Sequence, residues 1–275
     1  MRSDFDLIVH EICDKEIKIY PIADVHFGAL EHDTHAWVKF CTKVANEPNS
    51  YIILAGDLIN NNTRSSVGSP WDDRIRPREQ KRMMVEFLKP LRDKILCCVS
   101  GNHERRSLKD ADDDPTYDIM AKLDLEDIYR QNAAFMKIRL GARTREGSIG
   151  YDASFKFAVT HGAGGGMTGA AVNRNERWGN VIDGVDCVVY IHVVDLSKVF
   201  EPESAGIGCF CSGRNTRRSC CAGWSGCQFA ILGWYRRCGM NVVNFIISKD
   251  LLENRIKDGA GLLNPLSYYL VKVGI

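Results

Sequence analysis

The sequence predicts a layered α/β fold, and three observations carry that prediction. Five short apolar runs rich in β-branched residues recur between residues 17 and 191. Stretches with helical character separate several of them. Each run is followed within a few residues by an Asp, Asn or His. Strands alternating with helices imply packed layers with the sheet inside.

The first run is Ile17-Lys18-Ile19-Tyr20-Pro21-Ile22, and Asp24-Val25-His26 follows it. A helix is expected over about 33–45. The second run, Tyr51-Ile52-Ile53-Leu54, hands over to Gly56-Asp57. The next helix is expected over about 78–91, where Met83, Met84, Phe87, Leu88 and Leu91 recur at the three-to-four spacing of one buried face. The third run, Lys94 to Val99, precedes Gly101-Asn102-His103. Cys97 and Cys98 lie inside it and read as core. The fourth, Phe155 to Val159, leads to His161, and a helix is expected over about 168–183. The fifth, Cys187 to Ile191, leads to His192. Their length and composition suit strands buried on both faces or nearly so.

Residues 201–240 differ. Six of the eleven cysteines (Cys209, Cys211, Cys220, Cys221, Cys227 and Cys238) sit there among Gly, Ser and Arg. A zinc ribbon needs two Cys-x-x-Cys pairs, which this stretch lacks, so a loop-rich return to the sheet is expected. The chain, 1–275, reads as a single domain with an atypical C-terminal part over 201–275. Lys plus Arg (36) balances Asp plus Glu (35), so gross charge recommends neither DNA nor an anionic membrane. Met1 to Ile22 lacks the build of a signal peptide and the most apolar short run, Cys187 to Val194, is too short for a membrane span, so the scattered cysteines are expected to be reduced thiols of a cytoplasmic protein.

In open α/β sheets, ligand sites gather outside the carboxyl ends of the strands. The five turns therefore converge on one expected site of imidazoles, carboxylates and an amide. That donor set favours Mn, Fe, Zn or similar divalent cations, and no thiolate stands among the motifs. The two oxygens of Asp57 can each face an ion of a pair about 3.5–4 Å apart.

These motifs resemble the calcineurin-like metallophosphoesterases: Asp24-Val25-His26, Gly56-Asp57, Gly101-Asn102-His103-Glu104, Thr160-His161-Gly162 and Ile191-His192-Val193-Val194. The resemblance covers roughly residues 15–200, and the text around Leu58 to Asn61 and Asn102 to Arg105 looks like the bacterial and phage branch. It implies two mixed β-sheets sandwiched between helices. By the same resemblance, Asp24, His26 and Asp57 hold the first metal, and Asp57, Asn102, His161 and His192 the second. His103 becomes the proton-handling histidine. Val194 stands where the family ends its last motif on a histidine, and valine cannot bind metal. Three readings stay open: water or Asp195 completes a weaker first site, the first ion is lost, or the chain only binds.

Other signals carry less. Gly164 to Gly169 satisfies Gly-x-Gly-x-x-Gly, but Asp183 and Asp186 lie at the wrong end of the next strand for a dinucleotide. The basic groups Arg74, Arg76, Arg78, Lys81 and Arg82 either flank an anionic substrate or begin a solvated helix. Arg214, Arg217, Arg218, Arg236 and Arg237, beside Trp224, Trp234 and Tyr235, are either solvated or grip a nucleic acid strand. Asp110, Asp112, Asp113 and Asp114 precede Pro115 and read as helix capping. The expected function is hydrolysis of a phosphate ester, with a phosphodiester of nucleic acid or nucleotide favoured, by a metal-activated hydroxide. The alternative is a catalytically weak or silent binder of phosphate or nucleic acid. No oligomeric state follows from the residues.

Overall fold

A computed structural model describes residues 3–64, 66, 68–69, 71, 73–145, 148–162, 185–190, 234–236, 239–248 and 271–273. The expected helix over 168–183, the glycine-rich stretch, His192, Val194, Asp195 and the six clustered cysteines lie outside them. The strands are β1 (Ile8–Ile12), β2 (Glu16–Ile22), β3 (Ser50–Ala55), β4 (Ile95–Val99), β5 (Tyr129–Arg130), β6 (Ala133–Leu140), β7 (Arg143–Arg145), β8 (Ser148–Gly150), β9 (Ala153–Thr160), β10 (Cys187–Tyr190), β11 (Trp234–Arg236), β12 (Gly239–Ser248) and β13 (Val271–Val273). The α-helices are α1 (Thr34–Asn46), α2 (Pro77–Leu88), α3 (Glu104–Ala111) and α4 (Pro115–Ala121).

The strands form two mixed sheets and a small β7–β8 ribbon. In the larger sheet β2, β3, β4 and β5 run parallel, while β12 adds to β2 antiparallel and carries β11 and β13. In the smaller, β1 is parallel to β6, β6 antiparallel to β9, and β9 parallel to β10. The four apolar runs in the β2, β3, β4 and β9 positions fall where the sequence places them, and β10 covers the fifth through Tyr190. The strand β12 is a return of the chain to the large sheet.

Period-two alternation splits each central strand between two cores. Ile19, Ile53 and Cys97 face Met136, Ile138, Phe155 and Phe157 of the small sheet. Their neighbours Tyr20, Ile52 and Cys98 face the helical side, against Trp37 and Phe40 of α1, Met84 and Leu88 of α2, and Ile119 of α4. Runs buried on both faces are thus what a sheet between two layers requires. Cys97 and Cys98 are fully buried free thiols, and burial pushes the Cys97 thiol up to about 12.

Helix boundaries follow local chemistry. Asp33 caps α1 by accepting from the Ala36 amide, and Asp114 caps α4 by accepting from the Tyr117 amide. Pro77 opens α2, where a missing N–H costs nothing. The α-helix stops at Leu88 rather than Leu91, and residues Lys89–Lys94 tighten into a 3₁₀ turn. Pro90 is the cause: it has no N–H to donate, and its ring crowds the preceding turn. No helix among the described residues is long and apolar enough to cross a membrane.

Candidate metal centre

The site begins with how the loops after β2 and β3 lie together. They keep pairing beyond the strands: the Asp24 amide donates to Gly56 O, His26 to Asp57 O and Phe27 to Leu58 O, all at 3.0–3.1 Å. The backbone that results is strained. Asp24, His26 and Asp57 adopt φ of 54°, 46° and 51°, in the left-handed region that non-glycine residues rarely enter. Such strain persists where surrounding bonds over-determine it, and it clusters at functional sites.

The loop after β4 closes on the other side of Asp57. Gly56 has φ +89°, and a Cβ there would lie 2.6 Å from Gly101 Cα. A Cβ on Gly101 would lie 2.0 Å from Asp57 Oδ1. Both glycines are therefore needed for two loops to touch. His103 N then donates to Asp57 Oδ1 at 2.8 Å, which fixes one carboxylate oxygen.

The other oxygen, Asp57 Oδ2, faces three imidazoles. His161 Nε2 lies 3.3 Å away, His26 Nε2 3.8 Å and His103 Nε2 3.9 Å. Asp24 Oδ1 is 3.6 Å from His26 Nε2. Asn102 Oδ1 sits 3.0 Å from His161 Nε2. Asp24, His26, Asp57, Asn102, His103 and His161 are thus brought together, and His192 lies outside the described residues. Two sets of donor atoms fall within 4.8 Å of one another: His26, Asp57 and His103, and Asp24, Asp57 and His161. Asp57 belongs to both.

The ring orientations matter. His161 Nδ1 donates to Ala55 O at 2.7 Å, which turns its Nε2 toward Asn102 Oδ1 and Asp57 Oδ2. His103 Nδ1 donates to Asn60 O at 2.7 Å and also turns Nε2 inward. His26 and His103 meet edge to face, with centroids 4.3 Å apart. Asp57 and His161 are 2% and 0% exposed, whereas His26 and His103 are partly open and Asn102 is exposed. The cluster therefore has a closed floor and an open rim.

Electrostatics separates the histidines. Burial opposes protonation of His161, but the bond to Asp57 and its charge outweigh it and raise the imidazole to about 9. Burial likewise works against His26, and Asp24 and Asp57 more than offset it, so its pKa is raised. His103 goes the other way: burial, only partly opposed by Asp57, lowers it to about 4. Asp57 is held below the ordinary carboxylate range, because His161, His26 and His103 outweigh its burial.

Divalent cations fit these residues. Asp24 Oδ2 is buried with no hydrogen-bond partner, an arrangement that costs free energy unless a cation or proton meets it. The inward atoms are imidazole nitrogens, carboxylate oxygens and an amide oxygen, all metal donors gathered in one cluster.

Glu104 was not foreseen as part of the site. It is 1% exposed, and its carboxylate accepts from the amides of Asp57 (3.0 Å), Ile59 (3.1 Å) and Gly101 (3.0 Å). Burial and the Asp57 charge raise its carboxyl to about 7, against the amide bonds that favour the charged form. Asn61 adds a second tie: its side-chain amide donates to His103 O at 2.9 Å and to Ser107 Oγ at 2.8 Å. The signal in the sequence was Glu104 itself, a carboxylate directly after the candidate ligand turn.

The basic residues before and in α2 are mostly spoken for. Lys81 pairs with Asp113 and Asp118, Arg82 with Glu79, and Arg74 donates to Leu30 O.

A family model described as calcineurin-like phosphoesterase matches residues 17–180, more than half of the chain. Every described candidate residue, from Asp24 to His161, falls inside that span, and His192 and Val194 fall beyond it. No curated protein matches the chain.

Proposed function

Because the chain belongs to the calcineurin-like phosphoesterase family, we propose that it hydrolyses a phosphodiester of a nucleotide or nucleic acid at the cluster centred on Asp57, with two divalent cations as cofactors. The observation that carries the reading is the approach of three imidazole Nε2 atoms, at 3.3–3.9 Å, to the single oxygen Asp57 Oδ2. Asp24, His26 and Asp57 would hold one cation. Asp57, Asn102, His161 and His192 would hold the other. Bound there, the cations supply Lewis-acid neutralisation of the phosphate and acidify a water for attack.

The chain's own residues do the rest. Asp57 joins the two halves of the site, and the backbone amide of His103 keeps its Oδ1 in place. His103 presents Nε2 at the open rim, neutral at pH 7 while its pKa lies near 4. An anionic ester arriving beside it favours the imidazolium, which can then give its Nε2 proton to the departing oxygen. Glu104 and Asn61 hold the loops in the geometry this demands.

Val194 leaves the first position one protein ligand short, so that cation binds more weakly than the second. The rival reading, a silent phosphate or nucleic-acid binder, rests on the same valine. Hydrolysis of bis-p-nitrophenyl phosphate with added Mn²⁺, abolished by Asp57→Ala, supports the enzyme. Metal-independent binding of nucleic acid without turnover supports the binder.

A further inference from the structure

Arg106 lies one turn into α3 from His103, half-buried beside the cluster. Its Nη2 is 3.0 Å from His103 Nε2. The Nδ1 of that ring already donates to Asn60 O, so Nε2 is the acceptor and Arg106 the donor. Nη1 donates to Asn62 Oδ1 at 3.1 Å and Ser66 Oγ at 3.4 Å. All three acceptors are neutral, and among the described residues no carboxylate forms an ion pair with Arg106. Its contacts contrast with those of Arg82 and Lys81, which pair with carboxylates.

A partly desolvated guanidinium without a counter-charge in contact is a poor arrangement unless an anion completes it. The three bonds use at most three of its five N–H donors. The planar fork suits two oxygens of a tetrahedral phosphate. Its contact with His103 Nε2 also places a positive charge where a cation bound to that nitrogen would sit, which argues against His103 as a metal ligand despite its proximity to His26 and Asp57.

We infer that Arg106 is a substrate-binding residue that grips a non-bridging phosphate oxygen at the rim of the site, releasing His103 Nε2 as it does so. The inference rests on the phosphoesterase reading for its site and is tested without turnover. Inorganic phosphate binding to the full chain, reloaded with Mn²⁺, is measured by calorimetry for the wild type, Arg106→Ala, Arg106→Lys and the control Arg82→Ala. The expected result is a loss of about 10- to 100-fold in phosphate affinity for Arg106→Ala, the range for a hydrogen bond to a charged group. Arg106→Lys recovers part of it, Arg82→Ala is unchanged, and Mn²⁺ content is the same in all four.

Wild-type affinity in a folded Arg106→Ala overturns the inference, as does the absence of phosphate binding in the wild type. Should Arg106→Ala fail to fold, Arg106→Gln keeps a donor toward Asn62 and Ser66, and wild-type affinity there overturns it equally. Arg106-dependent phosphate binding without hydrolysis of bis-p-nitrophenyl phosphate leaves the inference standing and sinks the enzymatic reading. Hydrolysis with Arg106-independent phosphate binding does the reverse.

Discussion

Glu104 holds the backbone of Asp57 across a separation of 47 residues, its Oε2 accepting from the Asp57 amide at 3.0 Å. The same oxygen accepts from Gly101, and Oε1 takes Ile59. One buried side chain therefore ties the loop after β3 to the loop after β4. Those loops carry Asp57, Asn102 and His103, so the geometry of the cluster depends on a residue that is not one of its candidate ligands.

Glu104→Ala strands three buried amides, each costing about 1–3 kcal/mol when left unpaired. A loss of about 3 kcal/mol or more in unfolding free energy is expected, read from the urea midpoint. Glu104→Gln keeps one acceptor oxygen but sets an NH₂ against the amides, so its loss is intermediate. A Glu104→Ala midpoint equal to wild type contradicts the role.

Gly101→Ala puts a methyl group 2.0 Å from Asp57 Oδ1 and 2.2 Å from Asp57 N. Backbone cannot yield as a flexible side chain does, so the two loops must part, at a cost of about 1–3 kcal/mol or more. Bound Mn²⁺ is expected to fall well below the wild-type content while circular dichroism stays native. Full metal content in this variant would show that the loop contact is dispensable.

The pH dependence of the metal-free protein follows from His161. Its folded pKa, raised from 6.5 to about 9, lies above its unfolded value. That stabilisation is fully present below pH 6.5 and is lost as pH rises through 9, amounting to about 3 kcal/mol. Glu104 acts with the same sign in a lower window, between 4.5 and about 7. Melting temperatures of chelator-treated protein should fall from pH 6.5 to 9, and His161→Gln should flatten the upper part of that curve. A metal ion bound at His161 would replace its proton, so the loaded protein should lack this decline, and loading near pH 7.5 should release protons.

The parts of the fold that were legible in the sequence are those with a local signature. The strands β2, β3 and β4 announce themselves as apolar runs because both of their faces are covered, and β9 does so through Phe155, Phe157 and Val159, which face the core between the sheets while Lys156 is exposed. The strand β6 also has a local pattern, a buried and half-buried alternation over Ala133–Leu140, but it does not form a continuous run. The strand β1 escapes because Val9 is exposed and His10 and Glu11 interrupt it. The six described candidate ligands and acids were legible because each follows a strand. Glu104 and Arg106 were not, because Asp57 and Ile59, which Glu104 holds, and Asn62 and Ser66, to which Arg106 donates, are remote in the chain.

The central claim is that Asp57 joins two cation positions, and counting ions tests it most directly. Purified wild type and Asp57→Ala are reloaded with Mn²⁺, freed of excess and submitted to elemental analysis. The account predicts close to two ions per wild-type chain, the second-position ion held more tightly, and fewer than one in Asp57→Ala. No bound ion in the wild type, or equal contents in the two proteins, contradicts it.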